Sequence, residues 1–120
     1  MRMWDLPETI QCRKHLLGEH VEMHMFAGTI KKSINIQGYL KKGLVNPSKI
    51  KKRHDLLAKE MRSRGYQHNS PLISPKISLI KEIDKNYNLK DLIKRCPEFR
   101  NRTFILILSI ISILTKKKGI

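Results

Sequence analysis

The clearest periodic pattern of hydrophobic positions lies near the middle of the chain. Four residues there recur at the three- and four-residue spacing of one helical face: Ile50, His54, Leu57 and Met61. Asn46 can cap such a helix, Pro47 fits its first position and Gly65 fits its carboxyl-terminal stop. The pattern therefore predicts a helix from about residue 47 to residue 64, with an outer face rich in lysine and arginine.

A second helical pattern begins near the amino terminus. Asp5 and Glu8 have the spacing of a capping box, and Pro7 is tolerated in a first turn. The apolar positions that follow recur at roughly helical spacing: Ile10, Leu17, Val21 and Met25. We therefore expect a first helix that starts near Asp5 and ends near Gly28.

The signals elsewhere are weaker. A short third helix is predicted from Leu89 to Arg95, with Asn88 as its cap and Pro97 ending it. Residues 31–46 mix lysine, glycine, asparagine and serine, and predict a basic connection. Residues 66–76 contain two prolines and predict a turn-rich connection.

The end of the chain differs from everything before it. The run Thr103–Thr115 is rich in isoleucine and leucine, carries no charge and precedes three lysines. As a helix it would span about 20 Å, less than the roughly 30 Å hydrocarbon core of a bilayer. We divide the chain into a helical domain at residues 1–102 and a hydrophobic, basic tail at residues 103–120. Three roles stay open for the tail: a buried terminal element, a marginal membrane anchor, or sequence outside the domain.

The net charge of the chain is the property that says most about its binding partner. Lysine and arginine number 25 against 10 acidic residues, which gives a net charge of +15 over 120 residues. Such an excess destabilises a compact fold unless a polyanion such as nucleic acid or anionic lipid neutralises it. Hydrophobic residues make up 40% of the chain, which is enough to form a core. The predicted fold class is all-α, a compact single-domain bundle of about three helices with a basic face.

Candidate metal ligands and thiols are few. His20 and His24 have the HxxxH spacing that can bind zinc from one helical face, but zinc needs a third and usually a fourth ligand. Because no other histidine or cysteine pair has ligand spacing, the sequence predicts no metal site. Cys12 and Cys96 form no CxxC motif, so a reducing compartment is the simplest interpretation. The segment MRMWDLPE lacks the apolar stretch of a signal peptide.

Four segments carry a family resemblance: MRMWDL, HLLGEHVE, RHDLLAKEMRSRGYQHNSPL and RCPEFRNR. Together they resemble the pyrimidine-dimer DNA glycosylase family over about residues 1–102. The resemblance implies a compact helical domain that cleaves a glycosidic bond at a pyrimidine dimer or a related lesion and then cuts the strand as an AP lyase. It implies no small-molecule cofactor, no obligatory protein partner and a monomer.

The resemblance also implies roles for individual residues. Family members carry an Arg after the first mature residue and a later His-Leu-x-x-Glu-x-Arg-Glu pattern. The residues here that match in type and spacing are Arg2, His15, Leu16, Glu19 and Glu22. The implied catalytic pair is the α-amine of Met1 and the carboxylate of Glu22, and the implied supporting residues are Arg2, His15 and Glu19.

The chemistry has a physical reason to use a chain terminus. Attack on an anomeric carbon requires a neutral amine, and an α-amine ordinarily has a pKa of about 7.7–8.0, against about 10.4 for lysine. Met1 is expected to stay in place because the bulky Arg2 follows it. Two positions depart from the family pattern, since Val21 and Met25 stand where the family carries cations.

The predicted partner is double-stranded DNA that contains a lesion. The basic residues expected to contact it are Arg2, Lys31, Lys32, Lys51, Lys52 and Arg53. We expect a protein with this partner in the cytoplasm, associated with the nucleoid and not with a membrane. Two other hypotheses stay open: a non-catalytic basic nucleic-acid-binding protein derived from this family, and a small tail-anchored membrane protein, which rests only on residues 103–115.

Overall fold

The structure is a computed structural model that describes residues 1–68, 70–75, 77 and 79–118, with side chains up to Thr115. Its α-helices are α1 (Arg13–Lys31), α2 (Gln37–Lys41), α3 (Ile50–Ser63), α4 (Lys85–Arg95) and α5 (Pro97–Lys118). Short 3-10 turns at Glu8–Ile10 and Pro47–Lys49 precede α1 and α3. The all-helical class is confirmed, and the helices outnumber the three predicted because α2 and α5 are added.

The first helix begins later than its capping signals predicted. Asp5 adopts a left-handed backbone conformation with φ of 53°, and Gln11 is extended, so the chain cannot be helical across this stretch. The α1 helix starts at Arg13, where the sulfur of Cys12 accepts a hydrogen bond from the His15 N–H at 3.5 Å. The residues before α1 instead lie along its side.

The buried face of α1 also differs from the predicted one. Val21 and Met25 are 53% and 49% exposed. The residues that face the interior are Leu16, Glu19, His20, Met23 and Phe26. Two of these are polar: Glu19 forms an ion pair with Arg53 of α3, and the ring of His20 packs against His54 of α3, with its Nε2 atom 2.8 Å from His68 Nε2. The pattern of hydrophobic residues alone therefore predicted the wrong buried face for α1.

The prediction for α3 is confirmed in its main features. All four residues of the predicted stripe are buried: Ile50, His54, Leu57 and Met61. The Asn46 side chain accepts a hydrogen bond from the Ser48 N–H at 3.2 Å. Gly65 follows the helix with φ of +84°, a conformation that glycine adopts without strain. The helix packs along α1, and this contact forms the centre of the molecule.

The core has two parts. The larger part lies between α1, α2 and α3, where side chains such as Met23, Phe26 and Leu57 are completely buried. The smaller part joins the amino-terminal segment to α4 and to the start of α5; its buried members are Trp4, Leu6, Cys12, Leu92, Cys96 and Phe99. The amino-terminal segment contributes to both parts and is therefore firmly packed.

The α4 and α5 helices also differ from their predictions. The cap of α4 is Asp84, whose carboxylate accepts from the Tyr87 N–H at 2.9 Å, and Asn88 lies inside the helix. Pro97 opens α5, because a proline suits the first turn of a helix. The helix runs without a break through residue 102, the predicted domain boundary.

The hydrophobic tail does not return to the core. The large apolar side chains from Phe104 to Leu114 are 41–61% exposed, whereas Phe99 near the start of α5 is fully buried. Of the three roles left open for the tail, the buried terminal element therefore does not agree with the structure. Among the described residues, no helix combines the length and the apolar character needed to span a bilayer. Residues 119–120 of the tail lie outside the described residues.

Candidate active site

Two carboxylates of α1 hold the first residues of the chain. The Arg2 N–H donates a hydrogen bond to Glu22 Oε2 at 3.1 Å. Two residues further on, the Trp4 N–H donates to Glu19 Oε2, also at 3.1 Å. Because alternate N–H groups of an extended segment point the same way, two carboxylates one helical turn apart can bind the segment side by side. The start of the chain is thereby fixed next to Glu22.

Other elements also form hydrogen bonds with the same segment. The Met3 N–H donates to the carbonyl oxygen of Leu44 at 2.6 Å. On α4, the buried side chain of Asn88 donates to the carbonyl oxygens of Met3 and Trp4 at 3.3 and 3.1 Å. The oxygen of the same amide accepts from Arg2 Nη1 at 3.1 Å. The backbone of the segment therefore has hydrogen-bonding partners on three sides, which limits its motion.

The amino terminus and Glu22 share a pocket of about 370 Å³. The residues that line it come from four parts of the chain: Met1, Arg2, Trp4, Glu22, Tyr39, Lys42, Leu44 and Arg95. A carboxylate, a chain terminus and the cations of Lys42 and Arg95 thus meet in one concave site. Such a combination suits a reaction that needs a nucleophile, a proton-transfer group and anion binding.

The side chain of Arg2 is directed towards α4. Its Nη1 atom forms an ion pair with Asp91 Oδ2 at 2.9 Å, and its guanidinium carbon lies 4.1 Å from the centre of the Trp4 ring. The side chain is 16% exposed. Because these contacts already use its charge, Arg2 positions the amino-terminal segment and is poorly placed for the phosphate contact expected from the sequence.

Glu19 and Arg53 form a buried ion pair. Arg53 Nε and Nη2 donate to the two oxygens of Glu19 at 2.7 and 2.9 Å, and both side chains are almost fully buried. Gln11 Nε2 and the N–H of Trp4 also donate to Glu19, and Glu8 adds a second ion pair to Arg53. The expectation that Arg53 contacts DNA is wrong on this geometry, because its guanidinium lies inside the protein and is already paired.

His15 lies outside the pocket. Its Nδ1 atom is 3.0 Å from the sulfur of Cys12, and its ring meets the Trp4 ring edge to face at 6.0 Å. Burial, followed by the charges of Lys14 and Arg95, lowers the pKa of His15, so the ring is neutral at pH 7. The sulfurs of Cys12 and Cys96 are 3.7 Å apart as free thiols. His15 therefore supports Trp4, which itself lines the pocket.

A family model described as pyrimidine dimer DNA glycosylase matches residues 1–74. The chain belongs to the pyrimidine dimer DNA glycosylase family. The matched part includes Met1, Arg2 and Glu22, the residues that form one side of the pocket. No curated protein and no solved structure matches the chain.

The basic residues of this family member fall into two groups. Lys31, Lys32, Lys51 and Lys52 are exposed as expected, although Lys51 is paired with Asp55 at 2.9 Å. Lys42 and Arg95 line the pocket that contains Glu22, and the sequence analysis identified neither of them as a functional residue. Lys42 follows a short helix that no periodicity revealed, and Arg95 comes from α4, far from Glu22 along the chain. For Lys42, the only sequence signal was the mixture of hydrophobic and basic residues at positions 37–42.

The structure also brings together four histidines of the glycosylase-family chain. His20 and His24 of α1 meet His54 of α3 and His68 of the following segment, with candidate ligand atoms all within 4.8 Å of one another. Burial, followed by the neighbouring rings of His54, His68 and His24, lowers the pKa of His20 to about 4. The expectation that the His20–His24 pair lacks further ligands is therefore wrong, since tertiary packing supplies two more imidazoles.

Proposed function

We propose that the chain is a DNA glycosylase with AP-lyase activity on cyclobutane pyrimidine dimers or a related lesion. The α-amine of Met1 is the nucleophile, and Glu22 is the catalytic carboxylate. The observation that supports this most directly is the 3.1 Å hydrogen bond from the Arg2 N–H to Glu22 Oε2, which places the carboxylate one residue from the amine. Membership of a DNA glycosylase family supplies the substrate class.

In the first step, the neutral amine of Met1 attacks the anomeric carbon C1′ of the damaged nucleotide. A bond forms between the amine nitrogen and C1′, and the glycosidic bond breaks. The base leaves with the electron pair of that bond and takes up a proton. The negative charge of Glu22 stabilises the positive charge that develops on the sugar. The amine nitrogen then loses a proton and its lone pair forms a second bond to C1′, while the ring bond from C1′ to O4′ breaks and O4′ takes up a proton. The product is an iminium that links Met1 to the open sugar.

In the second step, Glu22 removes a proton from C2′. The electrons of that C–H bond form a double bond between C2′ and C3′, and the C3′–O bond breaks with release of the phosphate. The strand is thereby cut by β-elimination. Water then hydrolyses the imine and regenerates the amine. The damaged stretch must first be opened, which costs least where a dimer has already weakened stacking.

Lys42 is placed to bind a phosphate near the lesion, and Arg95 adds to it although its Nη2 atom is paired with Asp91 Oδ2 at 2.9 Å. The family carries cations at the positions of Val21 and Met25, and here those two side chains are apolar and about half exposed. Lys42 and Arg95 line the pocket that contains Glu22, so they supply positive charge to it from other elements. The exposed lysines 31, 32 and 52 extend the basic surface available to the duplex.

The test compares two duplexes of identical sequence, one with a single thymine dimer and one undamaged. We expect scission of the damaged strand at the dimer and no scission of the undamaged duplex. A third duplex with an abasic site separates the lyase step, since it needs no base removal. Tight binding of all three duplexes without scission would contradict the proposal and favour a non-catalytic nucleic-acid-binding protein.

A further inference from the structure

We propose that His20, His24, His54 and His68 form a closed four-histidine binding site for a transition-metal ion, for which zinc is the best-suited occupant. The site is separate from the pocket at the amino terminus, and the proposal does not depend on the glycosylase reaction. Zinc binds imidazole nitrogen readily, and structural zinc sites are usually tetrahedral with four protein ligands. The four imidazoles supply that number of ligands.

The packing of α1 on α3 creates the site. His20 and His24 lie one turn apart on α1, and their rings are 4.8 and 4.7 Å from the ring of His54 on α3. The ring of His68 completes the group at 4.7 Å from His20 and 5.1 Å from His54. A tetrahedral zinc ion with bonds of about 2.0–2.1 Å holds its nitrogens about 3.3 Å apart. The candidate ligand atoms, all within 4.8 Å, are close to that arrangement.

The hydrogen bonds among the four rings do not satisfy their nitrogens. His68 Nε2 lies 2.8 Å from His20 Nε2 and 3.3 Å from His54 Nε2. A single ring nitrogen has either one proton or one lone pair in the ring plane, so it cannot pair well with both. In the described part of the chain, His24 Nε2 is buried without a hydrogen-bond partner. A central cation would accept a lone pair from every ring and remove this mismatch.

A carboxylate orients one of the proposed ligands. Asp55 Oδ1 lies 2.9 Å from His54 Nδ1. When Nδ1–H donates to this oxygen, the lone pair of a neutral ring is on Nε2, the atom that faces His68. His54 Nε2 also lies 3.1 Å from the carbonyl oxygen of Ser70, which a neutral ring of this tautomer cannot satisfy. A histidine that binds zinc usually donates its other ring N–H to a carboxylate or a carbonyl oxygen, and the contact between Asp55 and His54 provides this arrangement.

Burial lowers the pKa of three of the four rings, which favours the neutral form that metal binding needs. Imidazole binds a metal through an unprotonated nitrogen. Burial is the main cause that lowers the pKa of His20, to about 4, and burial also lowers the pKa of His24 and of His68. The charged residues Lys51, Asp55 and Arg62 line a pocket together with His54 and His68. His20, His24 and His68 can therefore bind zinc at neutral pH with little competition from protons.

Four protein ligands leave no open position for substrate or reactive water, so the site is structural. His68 belongs to the segment after α3, which has no regular secondary structure from residue 66 to residue 68. A bound ion would tie this segment to α1 and α3 at one point. It would also strengthen the α1–α3 contact one residue away from the Glu19–Arg53 ion pair.

The experiment uses the full chain, stripped of metal with a chelator and then titrated with Zn²⁺ and, separately, with Co²⁺. We expect one ion per chain, a higher unfolding temperature with Zn²⁺, and the visible absorption of tetrahedral Co²⁺ with nitrogen ligands. His24→Gln and His68→Gln should each weaken binding by at least about 100-fold, and Asp55→Asn by about 10- to 100-fold. His24 and His68 are chosen because both are only half-buried, and helical circular dichroism checks that each variant folds.

The matched control is His15→Gln, which removes the remaining histidine of the five in the chain. Its metal affinity should equal that of the unchanged protein. The proposal is overturned if stripped protein binds no Zn²⁺ at equimolar concentration, or if both His24→Gln and His68→Gln bind it normally. It is also overturned if the Co²⁺ complex shows thiolate charge-transfer absorption and His15→Gln abolishes binding, because the ion would then sit at Cys12, His15 and Cys96. If one variant fails to fold, the other variant and the Co²⁺ spectrum decide.

Discussion

The backbone N–H of Arg2 donates to Glu22 Oε2 across 3.1 Å. The carboxylate to which we assign proton transfer therefore also fixes the position of the amine that precedes Arg2. A neutral isostere at this position can keep the hydrogen bond that positions the amine, but it loses the charge and the proton-accepting group that act on the sugar. The geometry thus links the start of the chain to the chemistry of α1.

Glu22→Gln keeps the shape of the side chain and can still accept a hydrogen bond from Arg2. It removes the negative charge and the proton-accepting group, so we expect turnover on dimer-containing duplex to fall by about 100-fold or more. Single-turnover cleavage with saturating enzyme measures the effect. Glu82→Gln, which removes the same charge from an exposed position, is the control and should leave turnover unchanged. Equal rates for both variants would show that Glu22 has no catalytic role.

The family resemblance predicted that Met1 and Glu22 lie together, but it did not predict the contacts that hold them in place. Met1 and Glu22 were paired by motif, and the structure places both in one pocket. Glu19 was assigned a supporting role, but its partner could not be predicted, because Arg53 lies 34 positions along the chain. The match of Glu19 to the motif carried no information about burial. Glu19 is buried in its ion pair with Arg53 and accepts a hydrogen bond from the Trp4 N–H.

Arg53→Met tests the structural role of the buried ion pair. The substitution leaves the carboxylate of Glu19 buried without its main cation, so we expect the free energy of unfolding to fall by about 3–5 kcal/mol. Urea unfolding followed by circular dichroism gives this value. Arg62→Met, at an exposed position of the same helix, should change it by about 0.5 kcal/mol or less. Similar losses for both variants would mean that the pair contributes nothing specific.

The salt dependence of DNA binding tests the pocket cations. The logarithm of the binding constant should fall linearly with the logarithm of salt concentration, with a slope of about −0.9 for each phosphate neutralised. Lys42→Ala should reduce the steepness of this slope by about one, and Arg95→Ala should reduce it by less because Asp91 lies 2.9 Å from its guanidinium. Lys85→Ala is the control, because its ammonium is 3.5 Å from Asp5 and lines a different pocket.

The same titration tests the lysines predicted from the sequence. Lys31→Ala, Lys32→Ala and Lys52→Ala should reduce the slope if these exposed side chains reach the duplex. Lys51→Ala should have a smaller effect because Asp55 already neutralises its charge. A salt response that stays flat in the unchanged protein would remove nucleic acid as its partner.

Truncation after Arg102 tests the proposed domain boundary. The apolar side chains beyond it are 41–61% exposed, so their removal takes little buried area from the core. Arg102 itself donates to the carbonyl oxygen of Gln11 at 2.7 Å and should be kept. We expect the same unfolding temperature and cleavage rate as the full chain, with less aggregation because an exposed isoleucine-rich run is removed. A large drop in unfolding temperature would place the tail inside the folded domain.

The two longest helices before the tail show what periodicity can and cannot predict. The stripe of α3 is correct because its buried positions are mostly hydrophobic, and only Arg53 and His54 are exceptions. The stripe of α1 is wrong because Glu19 and His20 occupy buried positions while Val21 and Met25 face outwards. Polar residues can be buried only when tertiary partners satisfy them, and those partners are invisible to a local pattern. For the same reason, the four-histidine cluster could not be predicted from a local pattern.

The central claim is that the α-amine of Met1 forms the covalent intermediate. Borohydride reduction during reaction with an abasic-site duplex converts an imine into a stable link, and mass spectrometry of the digested adduct locates it. We predict one adduct, on the peptide that contains Met1, and none when the amine has been acetylated beforehand, although the acetylated protein still binds the duplex. An adduct on an internal lysine, or undiminished trapping after acetylation, would contradict the account.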